Sequence, residues 1–391
     1  MSFAAKHPPL PIRPQDLVAS VRDAVIAGRD EGERIRRLPP GLLAALKAAG
    51  AFRLQTPVEL GGFEASLPVA LEVFEQFGRL DGAVAWNVWN GNLGVTAGLL
   101  DPAGVDAIWG DDPDTVIANS GRPTGGATVV DGGFRLSGRW DIVSAVDSAD
   151  WVTLFGLVMG PDGPVMVGPG MPDIRAFFVR TADVTILDTW NVSAMRGTGS
   201  NSVVAEGAFV PSALAPSPFA PVRIDRAVFR VPAFTSLSCG SAAVCLGIAQ
   251  ASIDLVVEMA PSKATAAGTV LAETGSGQRA IATADTHLRA ARLLLHDTAA
   301  AVSAAAEAGD PVTIDQRAAL RAAMCHAAAV TREVVTALYE LGSSSSLYVG
   351  GGLERVFRDG HAAAQHGVLN PFHLETVGRV RLGLDPGVPI F

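Results

Sequence analysis

The sequence predicts an α+β protein in three zones: an N-terminal helical domain over 1–112, a middle β domain over 113–225 and a C-terminal helical bundle over 226–391. Three observations carry that prediction. Apolar residues recur at helical spacing near the start, short β-rich runs broken by Gly, Asp and Pro fill the middle, and long alanine-rich stretches follow. No repeat or low-complexity tract offers another account of this order.

After a proline-rich start over 7–14, a helix is predicted over 42–49. Pro39 and Pro40 precede it and Gly50 follows, the proline-before and glycine-after pattern of a short helix. Ala70, Val73, Phe74 and Phe77 fall at i, i+3, i+4 and i+7, which gives one apolar stripe on a second helix. Runs at 115–118, 127–130, 134–137, 151–157, 174–179 and 203–209 predict strands, and Asp131-Gly132-Gly133 predicts a hairpin turn between two of them. Strands this short and regularly spaced predict a small barrel or sandwich, not a parallel sheet. Helices are predicted over 241–259, 279–306 and 315–339. The last two would measure about 35–45 Å at 1.5 Å per residue. Their alanines allow close helix approach, as in an antiparallel four-helix bundle.

The bulk properties exclude several classes. The chain has 391 residues, 49% of them apolar, enough for a sizeable core. A net charge of −9 with scattered Lys and Arg argues against a nucleic-acid partner. No uninterrupted apolar run of about 18 residues predicts a membrane span, and no charged segment followed by an apolar core predicts a signal peptide. Cys239, Cys245 and Cys325 lie in apolar helical context without C-x-x-C spacing, which predicts buried reduced thiols in a cytoplasmic protein. His361, His366 and His373 lack H-E-x-x-H spacing, so no metal site is expected. There is no G-x-S-x-G elbow for a hydrolase. Gly197-Thr198-Gly199-Ser200 departs from G-x-G-x-x-G and has no βαβ context, which excludes a Rossmann nicotinamide site.

The most informative stretch is 353–366, LERVFRDGHAAAQH. Arg355, Arg358 and Asp359 recur at helical spacing, and His366 follows Asp359 by seven residues. Pro57-Val58-Glu59-Leu60-Gly61-Gly62, Asp81-Gly82-Ala83-Val84-Ala85-Trp86, the stretch 131–151, the stretch 190–211, and Gln278 with Arg292 precede it in order. Taken together these segments resemble the acyl-CoA dehydrogenase fold along nearly the whole chain. The resemblance implies an acyl-CoA dehydrogenase-like arrangement of N-terminal helices, a middle β-barrel or sandwich and a C-terminal four-helix bundle.

In many dehydrogenases of that fold the base is the glutamate of a Tyr-Glu-Gly-Thr run after the Arg-Asp pair. Here the corresponding tyrosine and glutamate fall on His366 and Gly367, so no carboxylate is present. This block, and Gly138-Arg139-Trp140 ahead of Ser144, resemble instead the flavin-dependent monooxygenases built on the fold. That resemblance implies the oxygenase component of a two-component enzyme, a homotetramer that receives reduced FMN or FAD from a separate flavin reductase, by diffusion alone in one form of such systems. Oxygen would add at flavin C4a, and the hydroperoxide would hydroxylate a small aromatic or heteroatom substrate. A dehydrogenase with its base on another helix, and a catalytically silent flavin- or ligand-binding member, are the alternatives.

The resemblance assigns site residues, each of which also has a plainer reading. His366 would be the base, since an imidazole with a pKa of about 6.5 takes a phenolic proton near neutrality; the plainer reading is a histidine packed near a helix end. Ser144 would contact flavin N5; a strand serine bonded to backbone is the alternative. Ala145, Val146 and Asp147 follow it where monooxygenases often carry Ser-Gly and a nearby histidine. Asn119, Ser120 and Gly121 would meet the flavin pyrimidine or form a simple turn, and Ile142, Gln278, Gly342 and Ser343 complete the implied cofactor set. Trp86, Asn87 and Asn90 would line the substrate pocket or pack a helix, and Arg196, near Thr198 and Ser200, would bound the substrate entrance. Arg358 and Asp359 are expected in an ion pair within the bundle.

Overall fold

The computed structural model describes residues 5–265 and 268–388. In chain order the helices α1 (Leu17–Ile35), α2 (Pro40–Ala48), α3 (Leu67–Leu80), α4 (Gly82–Asn90) and α5 (Pro102–Trp109) come first. Strands follow: β1 (Ile117–Val130), β2 (Gly133–Val143), β3 (Trp151–Gly160), β4 (Gly163–Pro164), β5 (Met166–Gly168), β6 (Met171–Pro172), β7 (Ile174–Arg180), β8 (Thr185–Leu187) and β9 (Asn201–Pro211). Then come α6 (Ala227–Arg230), α7 (Ala233–Met259), α8 (Gly275–Ala308), α9 (Ile314–Gly342), α10 (Leu353–Ala363) and α11 (His373–Arg381). The chain divides into two compact units. One holds Met1–Ser66, Asn87–Val192 and Arg196–Leu237; the other holds Leu67–Trp86, Ser193–Met195 and Ser238–Phe391.

In the first unit α2 begins with Pro40 in its first turn, and Gly50 takes φ +79° just past its end. Both signals act within a few residues, so the sequence shows them directly. Seven strands among the described residues form one mixed sheet, ordered β4-β3-β1-β2-β9-β8 with β7 also on β3. β1 and β2 form the expected hairpin, with Gly132 at φ +74° in its turn.

Two details differ from the sequence reading. The predicted strands 115–118 and 127–130 belong to one β1, whose pairing with β3 jumps from Ser120↔Leu154 to Gly125↔Gly156. The residues between, 121–124, are exposed and form a bulge around Pro123, which has no N–H for the ladder. β1 also pairs with β3 in parallel, while β1–β2, β2–β9, β3–β7 and β8–β9 are antiparallel. β2 covers one edge of β1, and the turn Val146–Ser148 returns the chain to the other edge in the same direction. Trp140, Trp151, Phe177, Phe178 and Trp109 fill the core of this unit. Trp140 lies so close to β1 that a Cβ on Gly125 would overlap its indole, and its Nε1 donates to the Phe155 carbonyl at 2.8 Å.

The second unit is helical. Gly309 closes α8 at φ +82°, and Thr313 with Gln316 forms a capping box that opens α9. The short link makes α8 and α9 an antiparallel pair of 34 and 29 residues. Ala284, Leu288, Ala291, Leu295, Ala299, Val302 and Ala306 form the buried seam of α8 at spacings of three or four. No predicted apolar run marked a membrane span, yet α7 carries an 18-residue window of mean hydropathy 1.6, long and apolar enough to cross a bilayer. Of that window 72% is buried inside the fold, so its apolar surface is core surface.

α3 crosses α7 at two glycines. A Cβ on Gly78 would come within 2.6 Å of the Val244 carbonyl oxygen, and one on Gly247 within 2.7 Å of Gly78 Cα. α10 ends at Ala363, short of the helical continuation to His366 that the spacing suggested. Asn370 is extended before Pro371, and His366 starts the turn Gly367–Leu369.

Gly247→Ala is expected to lower stability by about 1–3 kcal/mol, because the neighbours are backbone atoms that cannot rotate away. Ordinary helix propensity would give the opposite sign, an Ala gain of about 1 kcal/mol over Gly. The shift of the urea unfolding midpoint decides between them.

Candidate active site

Within the first unit, the end of β2 carries Ser144 between two left-handed residues, Ile142 at φ +61° and Ala145 at φ +66°. The β2–β9 register breaks between Trp140 and Val143, so the chain leaves the ladder just before the serine. Left-handed backbone at a β-branched residue is strained, and Ile142 is also 56% exposed. The Asn90 amide donates to the Ser144 carbonyl at 2.7 Å. Asn119, on β1, donates to the Asn90 backbone carbonyl and to its side-chain oxygen, each at 3.1 Å. Asn87 donates to the Gly197 carbonyl at 2.9 Å, and the Ala145 amide donates to the Thr198 carbonyl at 2.9 Å. The Ser144 hydroxyl lies 2.8 Å from that of Ser200, which lies 2.7 Å from that of Thr198.

Asn119, Asn90 and Ser144, assigned separately from the sequence, thus form one connected polar run. Ser120 beside Asn119 is buried, whereas Gly121 is exposed and a Cβ there would meet nothing within 4 Å. These features fit a flat ring held through its heteroatoms: open main chain at the bulge, an exposed Ile142 and buried hydroxyls nearby in the chain of bonds. Asp147 accepts from Asn201 at 2.9 Å, and burial pushes its carboxyl above the usual carboxylate range. Arg196, expected at the substrate entrance, is tied into the surrounding loops. Its guanidinium donates to the carbonyls of Glu33 (3.1 Å) and Val192 (2.9 Å), which ties its loop to α1.

Within the second unit, the Trp86 and His366 rings meet edge to face, centroids 5.4 Å apart at 72°. Two residues assigned from distant parts of the sequence are therefore neighbours. Arg355 reaches Asp81 at 3.7 Å, and Asp81 caps the Val84 amide at 2.9 Å near the start of α4. Arg358 bonds Glu354 one turn back (Nε to Oε2, 2.6 Å) and the Ser193 carbonyl. Buried Asp359 accepts the Met195 amide at 2.5 Å, and Met195 holds φ +51°. Arg358, expected in an ion pair within the bundle, is thus bonded to the Glu354 carboxylate and the Ser193 carbonyl, while Asp359 accepts a backbone amide. His361 bonds the Thr336 hydroxyl at 2.9 Å and meets the Phe357 ring at 4.8 Å; burial, then Arg332, lowers its pKa. Gln278 donates to the Ala272 carbonyl at 3.1 Å in the first turn of α8. Gly342 is packed too tightly against Ser346 to accept a Cβ, and exposed Ser343 has φ +50°.

The bond between the Ser144 and Ser200 hydroxyls and the grip of Asp359 on Met195 lie outside the sequence reading. The residue types were visible, but nothing local indicates that Ser200 folds onto a serine 56 positions earlier.

The acyl-CoA dehydrogenase C-terminal domain family matches residues 239–371. A flavin-dependent monooxygenase oxygenase subunit, HsaA of Rhodococcus jostii, is 30% identical over 356 residues, covering 87% of this chain and 90% of that protein. Indole-3-acetate monooxygenase of Pseudomonas putida is 29% identical over 371 residues, covering 95% and 93%. The structure of XiaF from a Streptomyces species, in complex with FADH2 and glycerol, superimposes with a TM-score of 0.90 at 26% identity, covering 97% of each chain. The architecture is that of the acyl-CoA dehydrogenase-like flavoenzymes. The chain belongs to the family of flavin-dependent monooxygenase oxygenase subunits, and it is an oxidoreductase.

Asp359→Ala is expected to lower stability by about 1–3 kcal/mol, since it leaves the buried Met195 amide without its acceptor; the unfolding midpoint measures this. His361 supplies a pH dependence. Its folded pKa lies below the unfolded value of about 6.5, so the unfolded chain binds the proton more readily. Stability therefore falls as pH drops through about 6.5 toward that lower folded value. In His361→Gln, melting temperatures recorded at neutral and at mildly acidic pH should differ less than in the wild type.

Proposed function

We propose that the chain hydroxylates a small phenolic or other electron-rich aromatic compound with O2, using FMN or FAD reduced by a separate reductase and received by diffusion. The observation that carries this reading is the His366 imidazole set against the Trp86 ring, in a segment where a dehydrogenase would carry a carboxylate. The name of the indole-3-acetate relative and the FADH2 held by XiaF support it.

Reduced flavin, when bound, supplies the electron pair that activates oxygen; one oxygen atom enters the substrate and the other leaves as water. His366 takes the phenolic proton, which raises electron density on the ring carbon to be hydroxylated. Trp86 offers an aromatic face to the substrate. The Ser144 hydroxyl would hold a flavin heteroatom, while Asn90 and Asn119 hold the backbone that carries it. Ser120, Gly121 and Ile142 would lie along a bound ring, and Gln278, Gly342 and Ser343 are assigned as further cofactor contacts. Arg196 holds its loop in place beside Thr198. We assign the assembly as a homotetramer and the compartment as the cytoplasm. Burial pushes the Cys239 and Cys245 thiols up to about 12, which suits inert reduced cysteines.

The test mixes the protein anaerobically with reduced FMN or FAD and a panel of small phenols, then admits oxygen. Hydroxylated product in step with flavin oxidation is expected. Bleaching of bound oxidised FAD by an acyl-CoA thioester, with no hydroxylation, would overturn the reading. His366→Ala should slow hydroxylation by about 10²–10⁴-fold while reduced flavin still binds. An unchanged rate would remove His366 as the base.

A further inference from the structure

We propose that Ser200, backed by Thr198, is a positioning residue that sets whether the Ser144 hydroxyl donates or accepts. The three hydroxyls are buried and joined at 2.8 and 2.7 Å. A hydroxyl has one proton and two lone pairs. Among the described residues the Ser200 oxygen bonds the hydroxyls of Ser144 and Thr198. If both neighbours donated to it, its own proton would be buried without an acceptor, at a cost that natural structures avoid. Ser200 therefore passes its proton to one neighbour and accepts from the other, and the run points one way or the opposite way.

The direction has a chemical consequence. When the run points toward Ser144, Ser144 keeps its proton to donate to a ligand. When it points toward Thr198, Ser144 gives its proton to Ser200 and presents lone pairs. A flavin ring nitrogen makes the matching change: N5 accepts in the oxidised ring and carries a proton in the reduced one. Reversal rotates hydroxyl hydrogens and displaces no heavy atom of the three residues, so one serine can serve both redox states. Asn90 helps, since its bond to the Ser144 carbonyl fixes the backbone while the hydroxyl turns. This inference rests on Ser144 being the flavin contact.

The experiment measures dissociation constants of the full chain for oxidised and reduced FMN and FAD by anaerobic fluorescence titration. Wild type is compared with Ser200→Ala, Thr198→Val and Thr198→Ser. Ser200 is the acceptor in the state that receives N5–H, so Ser200→Ala should weaken the reduced form more. The ratio of reduced to oxidised dissociation constants should rise about 3–10-fold. Thr198→Val, which keeps the shape and loses the hydroxyl, should shift the ratio the same way, and Thr198→Ser should restore it to within about twofold. Should Ser200→Ala fail to fold, the two Thr198 variants carry the comparison. Equal weakening of both redox forms in the hydroxyl-deleting variants marks a purely structural role and overturns this inference alone. A wild-type chain that binds neither form overturns the flavin reading as well.

Discussion

A polar group removed from water must find a partner inside the fold, and both units are organised by that requirement. In the first, three buried asparagines act as clasps. Asn92 accepts from the Leu54 amide and donates to the carbonyls of Ala51 and Val88, which locks the end of α4 to the chain after α2. Asn87 and Asn90 extend from the same helix to Gly197 and Ser144. An amide side chain both donates and accepts without carrying charge, so it joins backbone segments without the desolvation cost of an ion. The second unit solves the problem with charge. Asp359 and Arg358 hold the backbone of 193–195, with Met195 in a left-handed conformation that few residues adopt unaided.

Close backbone approach is the complementary constraint. Gly125 admits the Trp140 indole against β1, and Gly78 with Gly247 lets two helices cross without side chains between them. The first contact helps explain why β1 resumes its ladder at Gly125 after the exposed bulge. That bulge leaves residues 121–124 exposed and unpaired with β3, next to Asn119.

Backbone strain also falls beside Ser144. Ile142 and Ala145 flank Ser144 in left-handed backbone, and the Ala145 amide is secured by Thr198, which also ends the hydroxyl run. One short loop over 196–200 therefore fixes both the backbone and the hydroxyl of the same serine. Such strain persists only where surrounding bonds over-determine it. The neutral hydroxyls and amides around Ser144 suit a ligand recognised through its heteroatoms, while His366 beside Trp86 offers a titratable group against an aromatic face.

The parts legible in the sequence are those governed by contacts a few residues apart. Pro40 and Gly50 bound α2, and Asp131-Gly132 turns the first hairpin. The Arg-Asp helix and the histidine after it pointed to the family, and hence to Ser144, Asn90 and Trp86, through resemblance rather than spacing. Tertiary structure alone decided how these residues are used. Ser144 reaches Ser200 across 56 positions, Asn119 reaches Asn90 across 29, and Asp359 holds an amide 164 positions away. The same folding gave Arg196 the carbonyls of Glu33 and Val192 as acceptors, and ended α10 before His366. Helix caps and turns are set by neighbours along the chain. The partner of a buried hydroxyl is set by whichever distant segment is packed against it, and residue type alone does not encode that choice.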